Sequence, residues 1–326
     1  MAKSTIAFII NPNSGTNNKK DLPDLIRKIL DADRFDISIE FTKYAGHGKE
    51  LAKQYVEKGF NYVVACGGDG TINEVASQLT GTNTVFGIIP YGSGNGLARH
   101  LGISLIPKRA LRQINKHTVK SIDYGMANEH AFFCTCGTGF DAHISHKFAV
   151  QGKRGFLTYL KTVVKEYWGY KPHPYTLSSD EFEITQRAFV VTIANASQYG
   201  NNAFIAPQAS TSDGLLDICI LKPFPFYSIP WLAFLLFQKE IERSKHISIL
   251  RTKGFTLKRK KEGEFHIDGD PIQAGKEISI KVIPNGLKVM MGRTLDINVI
   301  LRARLIYAKR RFKSHKESLE RTLKIN

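Results

Sequence analysis

"VVACGGDGTINE", residues 63–74, passes from a buried strand to a helix through three glycines set around one aspartate. The strand side is the apolar run Tyr62 to Cys66. On the helix side, Ile72, Val75, Ala76 and Leu79 fall at i, i+3, i+4 and i+7, the spacing of one buried helical face. Gly67, Gly68 and Gly70 permit positive φ and let the backbone approach a ligand closely. "TINE" reads as a capping box, with Thr71 as N-cap and Glu74 as its partner. Asp69 has no such local task. It either favours the positive end of the helix dipole or holds a hydrated Mg²⁺ against a nucleotide phosphate.

The same strand-to-helix alternation runs outward to about residue 120, through "TIAFII", "DISIEF" and "VFGII". It predicts βαβ units and a parallel sheet covered on both faces. Ligands of such sheets bind at the carboxyl ends of the strands. Two further glycine loops are expected at that edge: "NPNSG" (Asn11, Pro12, Asn13, Ser14, Gly15) after the first strand, and "YGSGNGLAR", which contains Ser93, after the fourth. Neither the dinucleotide fingerprint G-x-G-x-x-G nor the P-loop G-x-x-x-x-G-K-[ST] occurs. Three glycine loops at consecutive exits point to a phosphate-rich ligand.

After "SIDYG" (121–125) strand-like runs follow one another: "HAFFCTC", "FEITQRAFVVTIAN", "GLLDICIL", "HISIL", "GFTLKR", "GEFHID", "EISIKVI" and "LKVMM". Helical candidates interrupt them only near Phe156 to Tyr167 and Ile229 to Glu242. A second, mainly antiparallel domain is expected. "HIDGDP" suits a hairpin turn, because Asp-Gly between strands favours type I′ geometry. In "STSDGLLD" a turn leads into a strand whose Leu216, Ile218 and Ile220 point inward. The aromatic stretch Phe224 to Phe237 reads as core, with a lipid-lining role open to it.

The longest apolar run, "PFPFYSIPWLAFLLF", is shorter than the roughly 20 residues a bilayer requires and contains Pro225 and Pro230. No membrane-spanning helix is predicted. The N-terminal apolar run lacks a small-residue cleavage site and reads as a strand. Four cysteines without repeated spacing make no disulfide framework and suit a reducing cytoplasm. Cys134 and Cys136 would share one strand face as core residues.

The balance of 46 Lys and Arg against 29 Asp and Glu, formally +17, draws the chain toward polyanions. The segment from Arg302 onward carries nine Lys or Arg and two Glu. It reads either as a solvated helix or as a contact for an anionic membrane surface.

Together the motifs "NPNSG", "GGDGTINE", "PYGSGNGLA", "NASQYGNNAFIAPQASTSDGLLDI" and "FHIDGDP" resemble the diacylglycerol kinase catalytic-domain family, which includes bacterial lipid kinases and is close to the sphingosine kinases. NAD kinases share the core of "GGDGT". The resemblance implies an α/β domain with a parallel sheet of NAD-kinase/phosphofructokinase type over residues 1–124. A β-sandwich lipid-binding domain over 125–300 and a basic segment over 301–326 would follow. By position it implies ATP contacts at Asn11 to Gly15, Thr42, Gly67, Gly68, Asp69, Gly70, Thr71, Ile72, Asn73, Glu74 and Ser93, with Asp69 organising Mg²⁺ and the phosphates. Asp270 takes a place usually held by glutamate and would accept the proton, with Asp268 the second carboxylate. Asp213, with carbonyls near Ser210 and Leu215, resembles a structural Mg²⁺ site. Thr16 stands where many relatives carry a basic residue, a charge that Lys19 and Lys20 could supply.

The expected activity is ATP- and Mg²⁺-dependent phosphorylation of diacylglycerol, a sphingoid base or a related lipid at the cytoplasmic membrane face. No nucleic-acid partner is expected, and an edge strand of the second domain could support a homodimer. Two alternatives stand beside it: an NAD kinase acting on a soluble acceptor, and a non-catalytic polyanion-binding protein. "GSGNGLA" leans toward the sphingosine-kinase form of its motif.

Overall fold

A computed structural model describes residues 2–15, 19–151 and 156–291, without the side chains of 150, 151 and 156–161. Thr16 and the basic segment 301–326 lie outside the described residues. The first part of the chain runs β1 (Ser4–Ile10), α1 (Leu22–Ile29), β2 (Phe35–Phe41), α2 (His47–Glu57), β3 (Tyr62–Gly67), α3 (Asp69–Leu79), β4 (Val85–Pro90), α4 (Gly96–His100) and α5 (Pro107–Asn115). Its strands pair in parallel in the order β2-β1-β3-β4. The connection from β1 runs one way to β2 and the next runs back past it to β3. The loops after β1 and β3 therefore flank the point where the order reverses, the usual ligand crevice of such sheets. Ile6 to Ile10 and Val63 to Cys66 are wholly buried, as strands covered on both faces must be. Ile72, Val75, Ala76 and Leu79 form the buried face of α3.

The second part runs β5 (Thr118–Ala127), β6 (His130–Phe132), β7 (Thr135–Gly139), α6 (Phe140–Gln151), α7 (Phe156–Tyr167), β8 (His173–Ser178), β9 (Glu183–Ala188) and β10 (Val190–Ala194). It continues with β11 (Leu216–Leu221), α8 (Ile229–Phe237), β12 (Ile247–Thr252), β13 (Gly254–Arg259), β14 (Gly263–Ile267), β15 (Asp270–Ala274) and β16 (Glu277–Met291). One sheet of the sandwich has the antiparallel order β12-β11-β10-β7-β14-β15. The other is continuous with the parallel sheet. The 15-residue β16 pairs with β13 and β5 along its length, and its Val289 joins Phe86 of β4 in parallel. Residue 124 thus lies inside β5, a strand within the sheet shared by both halves.

Period-two alternation sorts the second domain's side chains between two cores. Leu216, Ile218 and Ile220 of β11 face the sandwich interior with Phe265 and Leu257, whereas Cys219 faces outward onto Leu232 and Leu235 of α8.

The helix α6 departs from expectation, since "FDAHISHKFAVQ" has too weak an apolar periodicity to announce itself. The second helical candidate ends at Phe237, and Lys239 takes a left-handed φ of 62° just beyond. "HAFFCTC" is two strands rather than one, and Cys134 lies between them. Cys134 packs in the first domain's core and Cys136 in the sandwich, so they do not share one face. All four cysteines are free and buried.

Candidate active site between the glycine loops and the acidic hairpin

The helix after β3 starts earlier than a capping box requires. Gly68 is the N-cap, Asp69 the first helical residue, and the Ile72 N–H makes a ladder bond to Gly68 O at 3.0 Å. Thr71 and Glu74 serve other exits instead. Thr71 Oγ1 accepts from Asn11 Nδ2 at 2.9 Å, tying in the loop after β1, and Glu74 Oε1 accepts the Gly46 N–H at 2.9 Å, tying in the loop before α2. Ile72 is buried in the first core with its N–H used in the helix. Neither is available to a ligand.

Asp69 joins the second glycine loop to the third. Its Oδ2 accepts the Asn95 N–H at 2.9 Å and its Oδ1 the Gly96 N–H at 2.8 Å. Burial pushes its carboxyl above the ordinary carboxylate range, and the Gly96 and Asn95 donors pull the other way. Asn95, in the left-handed region at φ 52°, closes that loop on itself by accepting from Gly92 N and donating to Gly92 O. A Cβ on Gly92 would lie 2.6 Å from the Gly68 Cα. Glycine is therefore needed there for backbone packing between loops, a use that accounts for part of what resembled a ligand clearing.

The loop after β1 is held from below. Asn11 Oδ1 accepts the Asn13 N–H at 2.9 Å, and Ser14, buried, donates its hydroxyl to Asn11 O at 3.1 Å. Lys19 folds its ammonium onto Ser14 O and lies 5.0 Å from the Tyr91 ring centroid. It thus brings positive charge to "NPNSG". Thr42, buried, donates its N–H to Ile10 O at 2.8 Å, and Ser93 is exposed.

The two acids of "HIDGDP" have different surroundings. Asp268 and Gly269 form a two-residue turn with φ of 49° and 92°, as the type I′ reading requires. The Asp268 carboxylate accepts four N–H groups: Cys134 at 2.7 Å, Thr135 at 3.0 Å, Phe133 at 2.9 Å and Asn73 Nδ2 at 2.8 Å. It takes the N–H groups of Phe133 and Cys134, the two residues between β6 and β7, and that of Thr135 at the start of β7, which explains the break between the strands. Asp270 is exposed and faces the first domain. A Cβ on Gly70 would lie 2.9 Å from Asp270 Oδ2. Asp270 therefore stands at the mouth of α3, whose first N–H groups are unpaired by the helix ladder.

Ser210, Asp213 and Leu215 lie together, but a different residue cross-links their turn. Asp123, buried, accepts the Gly214 N–H at 2.7 Å and the Asn285 N–H at 2.8 Å, and Asp213 accepts the Leu215 N–H at 3.1 Å. One carboxylate with two carbonyls is an oxygen set of the kind Mg²⁺ accepts. Among the described residues no group of three His, Cys, Asp or Glu stands ready to hold a metal.

Sequence reasoning missed two features. Asp123 is one. The other is behind the hairpin, where His266 Nε2 lies 3.1 Å from Asp141 Oδ2, which also accepts the Thr192 hydroxyl at 2.8 Å. These residues sit on separate strands and a helix, with no spacing signal to join them.

The sequence model of the diacylglycerol kinase catalytic domain matches residues 5–127, and that of the YegS C-terminal NAD kinase beta sandwich-like domain matches residues 134–291. A probable lipid kinase, YegS-like, of Serratia proteamaculans is 28% identical over 86% of this chain and 92% of its own length. Another of that description, from Chromohalobacter salexigens, is 31% identical over 58% of this chain, which spans 62% of that protein. The diacylglycerol kinase of Bacillus subtilis is 28% identical over 81% of this chain and 88% of its length. A crystal structure of a diacylglycerol kinase from Bacillus anthracis superimposes with a TM-score of 0.70 at 22% identity, over 89% of this chain and 97% of that one, and shares its fold.

Proposed function

The chain belongs to the diacylglycerol kinase catalytic-domain family of lipid kinases, and on that premise we propose that it transfers the γ-phosphoryl group of ATP to the hydroxyl of diacylglycerol, a sphingoid base or a related membrane lipid. The observation that carries this reading is the opposition of Gly70 and Asp270. A carboxylate of one domain stands against the helix N-terminus of the other, where phosphate would sit.

Phosphoryl transfer asks the protein for alignment and charge stabilisation rather than covalent chemistry. The start of α3 supplies N–H donors and the positive end of a helix dipole to the phosphates. Asp69 fixes the third glycine loop beside them. The lipid oxygen forms its bond to the γ-phosphorus as the bond to the β–γ bridging oxygen breaks, ADP leaves, and the hydroxyl proton passes to Asp270. Asp268 holds the hairpin that presents Asp270. The two bonds to Asp69 leave lone pairs on its carboxylate, so it suits a hydrated Mg²⁺, which would neutralise phosphate charge when bound. Ser210, Asp213 and Leu215 offer a second, structural site for the same ion.

The test is phosphate transfer from labelled ATP to a panel of diacylglycerol, sphingosine, ceramide and NAD⁺. Product on a lipid is expected, with kcat lowered by about 10²–10⁴ in Asp270→Asn and lost in Asp69→Ala. Transfer to NAD⁺ alone, or undiminished turnover in Asp270→Asn, would overturn the reading.

A further inference from the structure

The helix α8, "IPWLAFLLF", contains no polar side chain. A helix apolar all round belongs inside a protein. This one is buried on one side only, through Leu232 and Leu235. On the other, Trp231 is 55% exposed, Phe234 49% and Phe237 43%, and the turn leading into the helix adds Tyr227 at 82%. Tyr227, Trp231 and Phe234 follow one another at i, i+4 and i+7 and so share a face. Trp231 stacks on Phe234 at 5.4 Å. The face extends to the end of α7, where Trp168, 71% exposed, stacks on Phe226 at 4.6 Å.

We propose that this aromatic face docks the protein on an anionic membrane surface. The inference rests on the lipid-kinase reading for its purpose and on these exposures for its place. At nine residues the helix is far too short to cross a bilayer and is suited to lying in its interface. Exposed Trp and Tyr rings are the residues that settle at the headgroup level. Charge favours the same occupant. Lys165, Lys222, Lys239 and Lys245 are exposed within a few residues of the aromatic side chains; of the acids there, Glu240 is paired with Arg243 at 2.6 Å, Glu166 is turned onto His143 at 2.9 Å, and Glu242 is exposed. A second copy of the chain would meet this basic rim with its own, whereas anionic headgroups complement it.

The face is also wired to the site. Leu236 O accepts the Phe204 N–H at 3.0 Å, and the loop carrying Phe204 returns through Gly200, whose Cβ would lie 2.8 Å from the Gly94 Cα of the third glycine loop. A bilayer held on α8 would thus be linked, through Phe204 and Gly200, to the loop that flanks the cleft.

The chain's two tryptophans, Trp168 and Trp231, both lie on the face and report on it directly. The experiment titrates the full-length protein with vesicles of phosphatidylcholine, alone or with a minority of phosphatidylglycerol, and follows tryptophan emission and its quenching by brominated lipid. A blue shift with quenching is expected, stronger on anionic vesicles and weakened by salt. Tyr227→Ser/Phe234→Ser keeps both reporters and is expected to lower vesicle partitioning by at least about tenfold. Its thermal midpoint and its turnover of a water-soluble short-chain lipid are expected to be unchanged. Emission that is already blue-shifted without vesicles and indifferent to them would overturn the proposal. So would self-association abolished by the double variant, which would make a second copy the occupant. Vesicle binding through this face by a protein that phosphorylates no lipid would sink the kinase reading and leave the docking face standing.

Discussion

Replacing Asp268 by asparagine separates the roles of the two hairpin acids. The turn itself is undisturbed, because Asn-Gly suits a type I′ hairpin as well as Asp-Gly, and asparagine tolerates the φ of 49° found there. Only the acceptor set changes. Oδ1 receives Cys134 and Thr135, and Oδ2 receives Phe133 and Asn73. Whichever way an amide turns, its NH₂ faces two donors and strands both. Each stranded buried donor costs about 1–3 kcal/mol, so the pair costs about 2–6 kcal/mol. Part of this is recovered. Burial pushes the Asp268 carboxyl above the ordinary carboxylate range, and an asparagine carries no charge to desolvate. The net expectation is a loss of about 2–4 kcal/mol, read by urea unfolding of the full chain as a lower midpoint at unchanged slope. Asp270→Asn, at an exposed position, should stay within about 0.5 kcal/mol of wild type. An Asp268→Asn protein as stable as wild type would refute the claim that this carboxylate is a structural acceptor.

Gly70→Ala is expected to raise stability slightly, by up to about 1 kcal/mol for a helical glycine, while its Cβ, 2.9 Å from Asp270 Oδ2, pushes the carboxylate aside and lowers kcat; unchanged turnover would show that the opposition has no catalytic part. His100 predicts a loss of stability in mild acid. Its Nδ1 accepts the Ser197 N–H at 3.2 Å and so is unprotonated, and burial lowers its pKa from 6.5 to about 4. Protonation therefore favours the unfolded chain as pH falls from 6.5 to 4, removing about 2 kcal/mol by pH 5. His100→Asn, which keeps an acceptor there, should flatten that part of a stability-against-pH curve, and an unaltered curve would refute the assignment.

The fold was legible where one local signal sufficed. Strands buried on both faces read as unbroken apolar runs, and α3 showed its spacing residue by residue. What stayed hidden depended on distant partners. The run "HAFFCTC" has uniform strand character, and it breaks because Asp268, more than 130 residues later, takes three of its N–H groups. The helix α6 lacked periodicity because several of its side chains, such as Asp141 and His143, are polar and bonded across the domain to Thr192 and Glu264.

The same reasoning divides the site. Its glycine loops could be found from composition, but composition cannot say what a glycine makes room for. Gly92 makes room for Gly68, and Gly70 makes room for Asp270. The first fixes one loop against another within a domain; the second spans two domains and meets a titratable group. Likewise Asp69, Asp268 and Asp270 are equivalent as letters beside glycine, and only their partners rank them. Two N–H donors occupy the first, four occupy the second, and the third is exposed at the mouth of α3. An acid that must take a proton from a bound hydroxyl has to be reachable from the cleft, and of the three carboxylates it is Asp270 that is exposed there. The division of the three carboxylates between scaffold and chemistry is thus a property of the folded contacts, which is why Asp268→Asn and Asp270→Asn, one methylene-free step from wild type in each case, should fail in different assays.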